Sequence, residues 1–229
     1  MEGIFPNRVE AGRRLAESLS AYRGRDDAIV LGLPRGGVPV AYEVARQLGL
    51  PLDVFVVRKL GVPGYEELAM GAIASGNVRV LNEDVIHTLP NPEAILEMVT
   101  AQEKVELERR EARYRQDRTA PDLRGRVVIL VDDGLATGAT MRAAAAALRK
   151  QGVAKIVVAV PVGAPETCQE LASEVDEMIC AIRPAFFHGV GQFYEDFSQT
   201  TDEEVRELLA KAKEGKGKKM KDEGGDSVI

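Results

Sequence analysis

The densest run of reactive residue types lies between Val127 and Thr140. An apolar stretch, Val127-Val128-Ile129-Leu130-Val131, ends in two adjacent carboxylates, Asp132 and Asp133, and Gly134-Leu135-Ala136-Thr137-Gly138-Ala139-Thr140 follows. A turn that opens into a helix presents unpaired backbone amides, and with the hydroxyls of Thr137 and Thr140 these make a site for a phosphate monoester. The carboxylates just ahead of it cannot touch that phosphate without repulsion. They must face hydrogen-bond donors or a cation, that is, vicinal hydroxyls or hydrated magnesium. Diol acceptors beside a phosphate cradle describe a ribose 5-phosphate site. The plainer alternative is an ordinary strand-to-helix turn with Asp133 or Thr137 as its cap.

Three further stretches carry chemistry. In Leu31-Gly32-Leu33-Pro34-Arg35-Gly36-Gly37 a cation is flanked by glycines, which lets backbone amides approach an anion closely. Val57-Arg58-Lys59-Leu60-Gly61 places two adjacent cations at a strand end, either solvated or paired with phosphate oxygens. From Arg183 to Phe197 four of the six phenylalanines gather among glycines, as a packing cluster or as rings for a heterocycle. His188 in that stretch is a possible acid or base, although a lone histidine usually packs or faces solvent. His87 has nothing nearby to recommend it.

The elements that must hold these residues follow from apolar periodicity. Ala28 to Leu33, Leu52 to Val57, Val127 to Val131, Ile156 to Val160 and Met178 to Ile182 are apolar on consecutive positions, as strands buried on both faces require. Helical stretches alternate with them at Val38 to Leu48, Thr140 to Gln151 and Pro165 to Ser173, two of them followed by Gly49 and Gly152. Asn7 with Glu10 has capping-box spacing and predicts a first helix from Arg8 to Tyr22. The fold expected is α/β, a Rossmann-like parallel sheet flanked by helices with its sites at the carboxyl ends of the strands. The segment Pro90 to Arg118 predicts a long helix, either a solvated strut or a lid whose arginines reach a phosphate-bearing ligand.

The 229 residues, with 30 basic against 36 acidic side chains and a net charge of −6, suit one large domain over residues 1–212, followed by a lysine- and glycine-rich tail at 213–229 that reads as disordered. A last helix is expected from Asp202 to Ala212. Two cysteines and no apolar run behind a basic start point to a reducing cytoplasm. No apolar stretch approaches the roughly 18 residues of a membrane span. The acidic balance argues against nucleic-acid partners.

The Val127 to Thr140 run resembles the phosphoribosyl pyrophosphate (PRPP) signature of the type I phosphoribosyltransferases. Asp132 to Met141 is especially similar to the adenine enzymes. The pattern from Tyr65 to Ile73 looks like a little-characterised branch of the superfamily, and the resemblance covers roughly Asn7 to Leu209. It implies transfer of the 5-phosphoribosyl group from PRPP to a nucleobase or related nitrogen acceptor, with release of pyrophosphate and Mg2+ as cofactor. It implies that Asp132 and Asp133 bind the ribose hydroxyls and the metal, and that Gly134, Leu135, Ala136, Thr137, Gly138, Ala139 and Thr140 hold the 5′-phosphate. Arg35, Gly36 and Gly37 would hold pyrophosphate from a loop with a cis Pro34–Arg35 bond, joined by Arg58 and Lys59. Catalysis would fall to Arg35, Lys59, Asp132 and Asp133. A helical insertion at 91–118 and a hood at 183–200 are implied too, the latter with Phe187, Val190 and Phe193 at the base. Either the strip Gly61 to Gly76 or the long helix would be the lid, and a homodimer is expected by the same resemblance. Ala136 stands where oxopurine enzymes usually carry an acid, which weakens a hypoxanthine or guanine reading. Two other readings are a non-catalytic sensor of PRPP or a nucleotide, and a dinucleotide enzyme. The latter lacks the required G-x-G-x-x-G turn after the first strand.

Overall fold

The computed structural model describes residues 4–116 and 118–222. The elements in chain order are α1 (Arg8–Ser18), β1 (Ala28–Gly32), α2 (Gly37–Leu48), β2 (Leu52–Val54), β3 (Val57–Val62), β4 (Tyr65–Ala74), β5 (Val78–Leu81), α3 (Glu83–Ile86), α4 (Pro92–Arg115), β6 (Val127–Val131), α5 (Ala139–Lys150), β7 (Lys155–Val162), α6 (Pro165–Ala172), β8 (Glu177–Ile182) and α7 (Asp202–Asp222). Two 3-10 turns lie at Ser20–Tyr22 and Val190–Phe193. The first helix is therefore shorter than expected. Asn7 caps it by accepting from the amides of Val9 and Glu10 at 3.0 and 3.1 Å, and after Ser18 the chain tightens into the 3-10 turn.

Five strands form one all-parallel sheet in the order β2-β1-β6-β7-β8. The chain builds to one side of β1 and then to the other, so the crevice between β1 and β6 is the switch point where such sheets bind ligands. The register there is level: Gly32 lies beside Val131, so both strands end together. All five residues of β6 are buried, as its unbroken apolar run demands. Ile29, Leu31, Val128 and Leu130 pack one face against Met141, Leu148 and Leu171 of α5 and α6. Val30, Ile129 and Val131 pack the other against Leu15, Val40 and Val44 of α1 and α2. Each fully buried Leu or Ile contributes roughly 1.5–3 kcal/mol, so the strand ends stand on a stiff base.

A second sheet, β3-β4-β5, is antiparallel. It occupies the strip Gly61 to Gly76, where the sequence suggested a flexible segment. The reason is local: Pro63 and Gly64 form a tight reversal, Gly64 taking φ +81°, which glycine tolerates at no steric cost. Leu60, Met70 and Ile73 then bury against Leu96, Val99, Leu107 and Tyr114 of α4 and Val205 and Leu209 of α7. The 24-residue α4 is thus a packed strut about 36 Å long, with its acid–base pairs on the open face. α7 runs on to Asp222, ten residues past the expected end at Ala212, so the stretch read as a disordered tail begins as helix. Residues 223–229 of that expected tail lie outside the described residues.

Candidate active site

The loop after β1 crosses directly over the carboxylates that end β6. A Cβ on Gly36 would lie 2.1 Å from Oδ2 of Asp133, and one on Gly37 would lie 2.7 Å from the Val131 carbonyl oxygen and 2.8 Å from Cα of Asp132. Only glycine permits that approach. The Pro34–Arg35 bond is cis, as the resemblance implied, and the Leu33 amide donates to the Val131 carbonyl at 2.9 Å. Arg35 turns toward the start of α7, 4.0 Å from Asp202. The same Asp202 accepts from Arg113 at 3.0 Å and from the Tyr114 hydroxyl at 2.8 Å.

The two carboxylates are not equivalent. Asp132 accepts from the Asp133 amide at 2.9 Å; burial, and after it the charge of Asp133, holds its carboxyl well above the usual range. Burial also raises Asp133, opposed by Arg8, whose Nε and second terminal nitrogen lie 2.9 and 2.8 Å from its Oδ2. Arg8 was not among the residues expected at the site. Neither was Tyr194, whose hydroxyl donates to the Asp133 carbonyl at 2.5 Å. Tyr194 stood within the aromatic run, and Arg8 directly follows the capping Asn7, but neither position announces a contact across 61 or 125 residues.

Beyond the carboxylates the loop is pinned through its carbonyls. The Leu135 carbonyl accepts from the Ala164 amide at 2.9 Å, that of Ala136 from the Thr167 hydroxyl at 2.7 Å and that of Thr137 from Arg142 at 3.0 Å. Gly138, with φ +75°, turns the chain into α5. Among the described residues, the amides of Ala136, Thr137, Gly138, Ala139 and Thr140 find no protein acceptor. Five donors at a helix start, next to exposed Thr137 and Thr140, form an anion cradle.

The phosphoribosyl transferase domain family matches residues 4–198, most of the chain and all of this site. The chain belongs to the phosphoribosyl transferase domain family. Proteins from two Mycobacterium tuberculosis strains, provisionally named phosphoribosyl transferases, are each 48% identical over 209 residues, which is 91% of this chain. The chain spans about half the length of these relatives, 47%. The crystal structure of TT1426 from Thermus thermophilus is 43% identical and superposes with a TM-score of 0.82, covering 91% of this chain and 98% of that one.

Within this phosphoribosyl transferase domain, two expected placements change. Arg58 and Lys59 are neighbours on β3, so their side chains leave opposite faces. Lys59 lines a cavity of about 350 Å³ together with Thr140 and Arg142, while Arg58 points to α4 and pairs with Glu103 at 2.6 Å. Arg58, expected with Lys59 on the pyrophosphate, is instead held by α4. Phe193 is buried among Phe5, Val162, Ile182 and Tyr194, with Phe187 stacked on it at 5.8 Å. Burial makes Phe193 a core ring, unable to lie against a ligand, and leaves Phe187 attached to it; Phe186 and Phe197 are the exposed phenylalanines of this stretch. Val190 packs over Gly134, where a Cβ would lie 2.4 Å from its Cγ1. His188 is exposed.

Magnesium, implied by the family, has a suitable but sparse donor set. No group of three or more His, Cys, Asp or Glu among the described residues could cage an ion. Asp132 and the remaining oxygen of Asp133 match the usual pattern of one or two carboxylates with the ligand's own phosphates completing the shell. No helix among the described residues is long and apolar enough to cross a membrane.

Proposed function

We propose that this protein transfers the 5-phosphoribosyl group of PRPP to a nitrogen of a nucleobase-like acceptor, releasing pyrophosphate. The observation that carries this reading is the row of five amides with no protein acceptor among the described residues, beside two half-buried carboxylates in the β1/β6 crevice. In the reaction the C1′–oxygen bond to pyrophosphate breaks as a C1′–nitrogen bond forms, through a transition state with positive charge on the ribose. The amides from Ala136 to Thr140 bind the 5′-phosphate, and Asp132 with the open oxygen of Asp133 accepts from the ribose hydroxyls. The amide of Gly36, with Arg35 and Lys59, receives the pyrophosphate, whereas that of Gly37, expected there too, already donates to the Leu33 carbonyl at 3.0 Å. Asp132 and Asp133 would hold magnesium, which would neutralise charge on the leaving group. Val190, over Gly134, offers backbone groups to the acceptor's edge. A homodimer working in the cytoplasm belongs to the same proposal.

A non-catalytic binder of PRPP is the second reading, favoured by one observation: Arg58 and Phe193, two expected substrate-handling side chains, are engaged by other parts of the protein. Calorimetry with magnesium and PRPP tests the site. Binding is expected in the native protein and lost in Asp132→Asn/Asp133→Asn; unchanged affinity in that double variant refutes the assignment. Pyrophosphate release measured across a panel of bases then separates the two readings. Tight binding with no turnover on any acceptor makes the protein the binder.

A further inference from the structure

We propose that Arg8 is a positioning residue that divides the labour of the two adjacent carboxylates and ties the ribose site to the hood. The inference rests on the phosphoribosyl reading above and assigns a role to a residue that no part of the signature contains. Arg8 is the first residue of α1, fixed there by the Asn7 cap. Its guanidinium is sandwiched: two nitrogens lie against Oδ2 of Asp133 at 2.9 and 2.8 Å, the third donates to the Ser198 carbonyl at 2.7 Å, and the Phe197 ring lies 4.1 Å from its centre. Only 11% of the side chain is exposed. Such a planar, three-way contact is what a guanidinium can make and an ammonium cannot.

Two consequences follow from this geometry. First, side-by-side carboxylates repel each other, and Arg8 takes one oxygen of Asp133 out of that contest, leaving Oδ1 and Asp132 to face the ligand. Gly36 seals the arrangement, since a Cβ there would lie 2.1 Å from the bound Oδ2 and 3.4 Å from the Arg8 nitrogen. Second, the segment Tyr194 to Ser198 reaches Asp133 twice. Tyr194 holds its carbonyl directly, and Ser198 with Phe197 holds its carboxylate through Arg8. Movement of that segment is therefore transmitted to the ribose site.

A double-mutant cycle tests the role. PRPP affinity and steady-state constants are measured for the native protein, Arg8→Ala, Arg8→Lys, Asp133→Asn, Phe197→Ala and the combinations with Arg8→Ala, with thermal unfolding recorded for each. Arg8→Ala is expected to weaken PRPP binding on the order of tenfold, within the usual range for coupled neighbours, and to raise KM for PRPP more than it lowers kcat. Arg8→Lys recovers only part. In the Asp133→Asn background the same replacement costs less than about twofold, because there is no longer a carboxylate to hold. Phe197→Ala, at an exposed ring, weakens binding about two- to threefold, and this effect vanishes once Arg8 is absent. An equal loss from Arg8→Ala with and without Asp133 overturns the proposal, as does full affinity in Arg8→Ala. If that variant does not fold, Arg8→Lys and Phe197→Ala run the same cycle. A folded native protein that binds no PRPP is a different failure: it removes the phosphoribosyl reading itself, and the proposal with it.

Discussion

The two sheets of this protein contribute to the site in opposite ways. The parallel sheet delivers Asp132, Asp133 and the glycine loop by ending two adjacent strands at the same level, with every position of β6 buried beneath them. The antiparallel sheet delivers a single lysine from the middle of an irregular strand, where the register slips around Gly61. One sheet gives fixed geometry backed by two hydrophobic layers. The other gives a long cation on a small platform, and its neighbouring arginine faces the wrong way. Backbone groups and short carboxylates belong on the stiff support, since they have no length with which to correct an error.

The contrast can be broken most severely at the base of the parallel sheet. Leu130→Ala removes a side chain with no exposed surface and is expected to cost about 3 kcal/mol of stability, read from the urea midpoint. At the site itself, Gly36→Val forces a branched side chain into a space where even a Cβ meets Asp133 at 2.1 Å. The rate of pyrophosphate release should fall about a hundredfold with the fold retained, because displacement of about 1 Å at such a site costs that much.

The antiparallel sheet separates two neighbours on one strand. Lys59→Ala should lower turnover about tenfold, the worth of one charged hydrogen bond, with little change in unfolding temperature. Arg58→Ala should change turnover less than about twofold while loosening α4, since its partner Glu103 is a part-exposed surface acid. Equal kinetic losses from the two would mean that both cations face the ligand.

The smallest effect lies at the β8 edge, away from the site. Lys155 and the Tyr22 hydroxyl both donate to Glu177, and the Lys155 bond, followed by that from Tyr22, holds the Glu177 carboxyl below its ordinary value of 4.5. A depressed carboxylate stabilises the fold above its unfolded value, and that contribution is lost as the pH falls through the folded one. Glu177→Gln should therefore cost less than about 1 kcal/mol near neutrality, given how exposed the pair is, and nothing once the native carboxyl is protonated. Urea titrations at stepped pH would follow the difference.

The legibility of the sequence followed the same division. Strands such as Val127–Val131 could be read because burial on both faces demands apolar residues at successive positions, a pattern carried within five residues. The turn that opens α5 was legible for the same local reason, although the cradle was expected to begin earlier, and the Leu135 amide instead donates to the Val162 carbonyl at 2.9 Å. The small sheet was not, because Val57–Val62 interleaves Arg58, Lys59 and Gly61 with apolar residues, and it becomes a strand only when Leu60 and Met70 meet α4. Phe193 could not be told from a ligand-facing ring until Phe5, far away in the chain, closed over it. Arg8 was hidden most completely, since its partners lie 125 and 190 residues away.

The 4.0 Å approach of Arg35 to Asp202 means that the loop after β1 carries its own competitor. An anion arriving at Arg35 does not meet an idle charge; it must displace an internal carboxylate already braced by Arg113 and Tyr114. A lone small anion gains little from that exchange. A ligand with several anionic groups, anchored first on the amides of Ala136 to Thr140, presents its remaining charge to Arg35 at a high effective concentration and wins the contest. On the proposed reading, the acidic start of α7 is expected to favour polyanions over the common ions of the solvent.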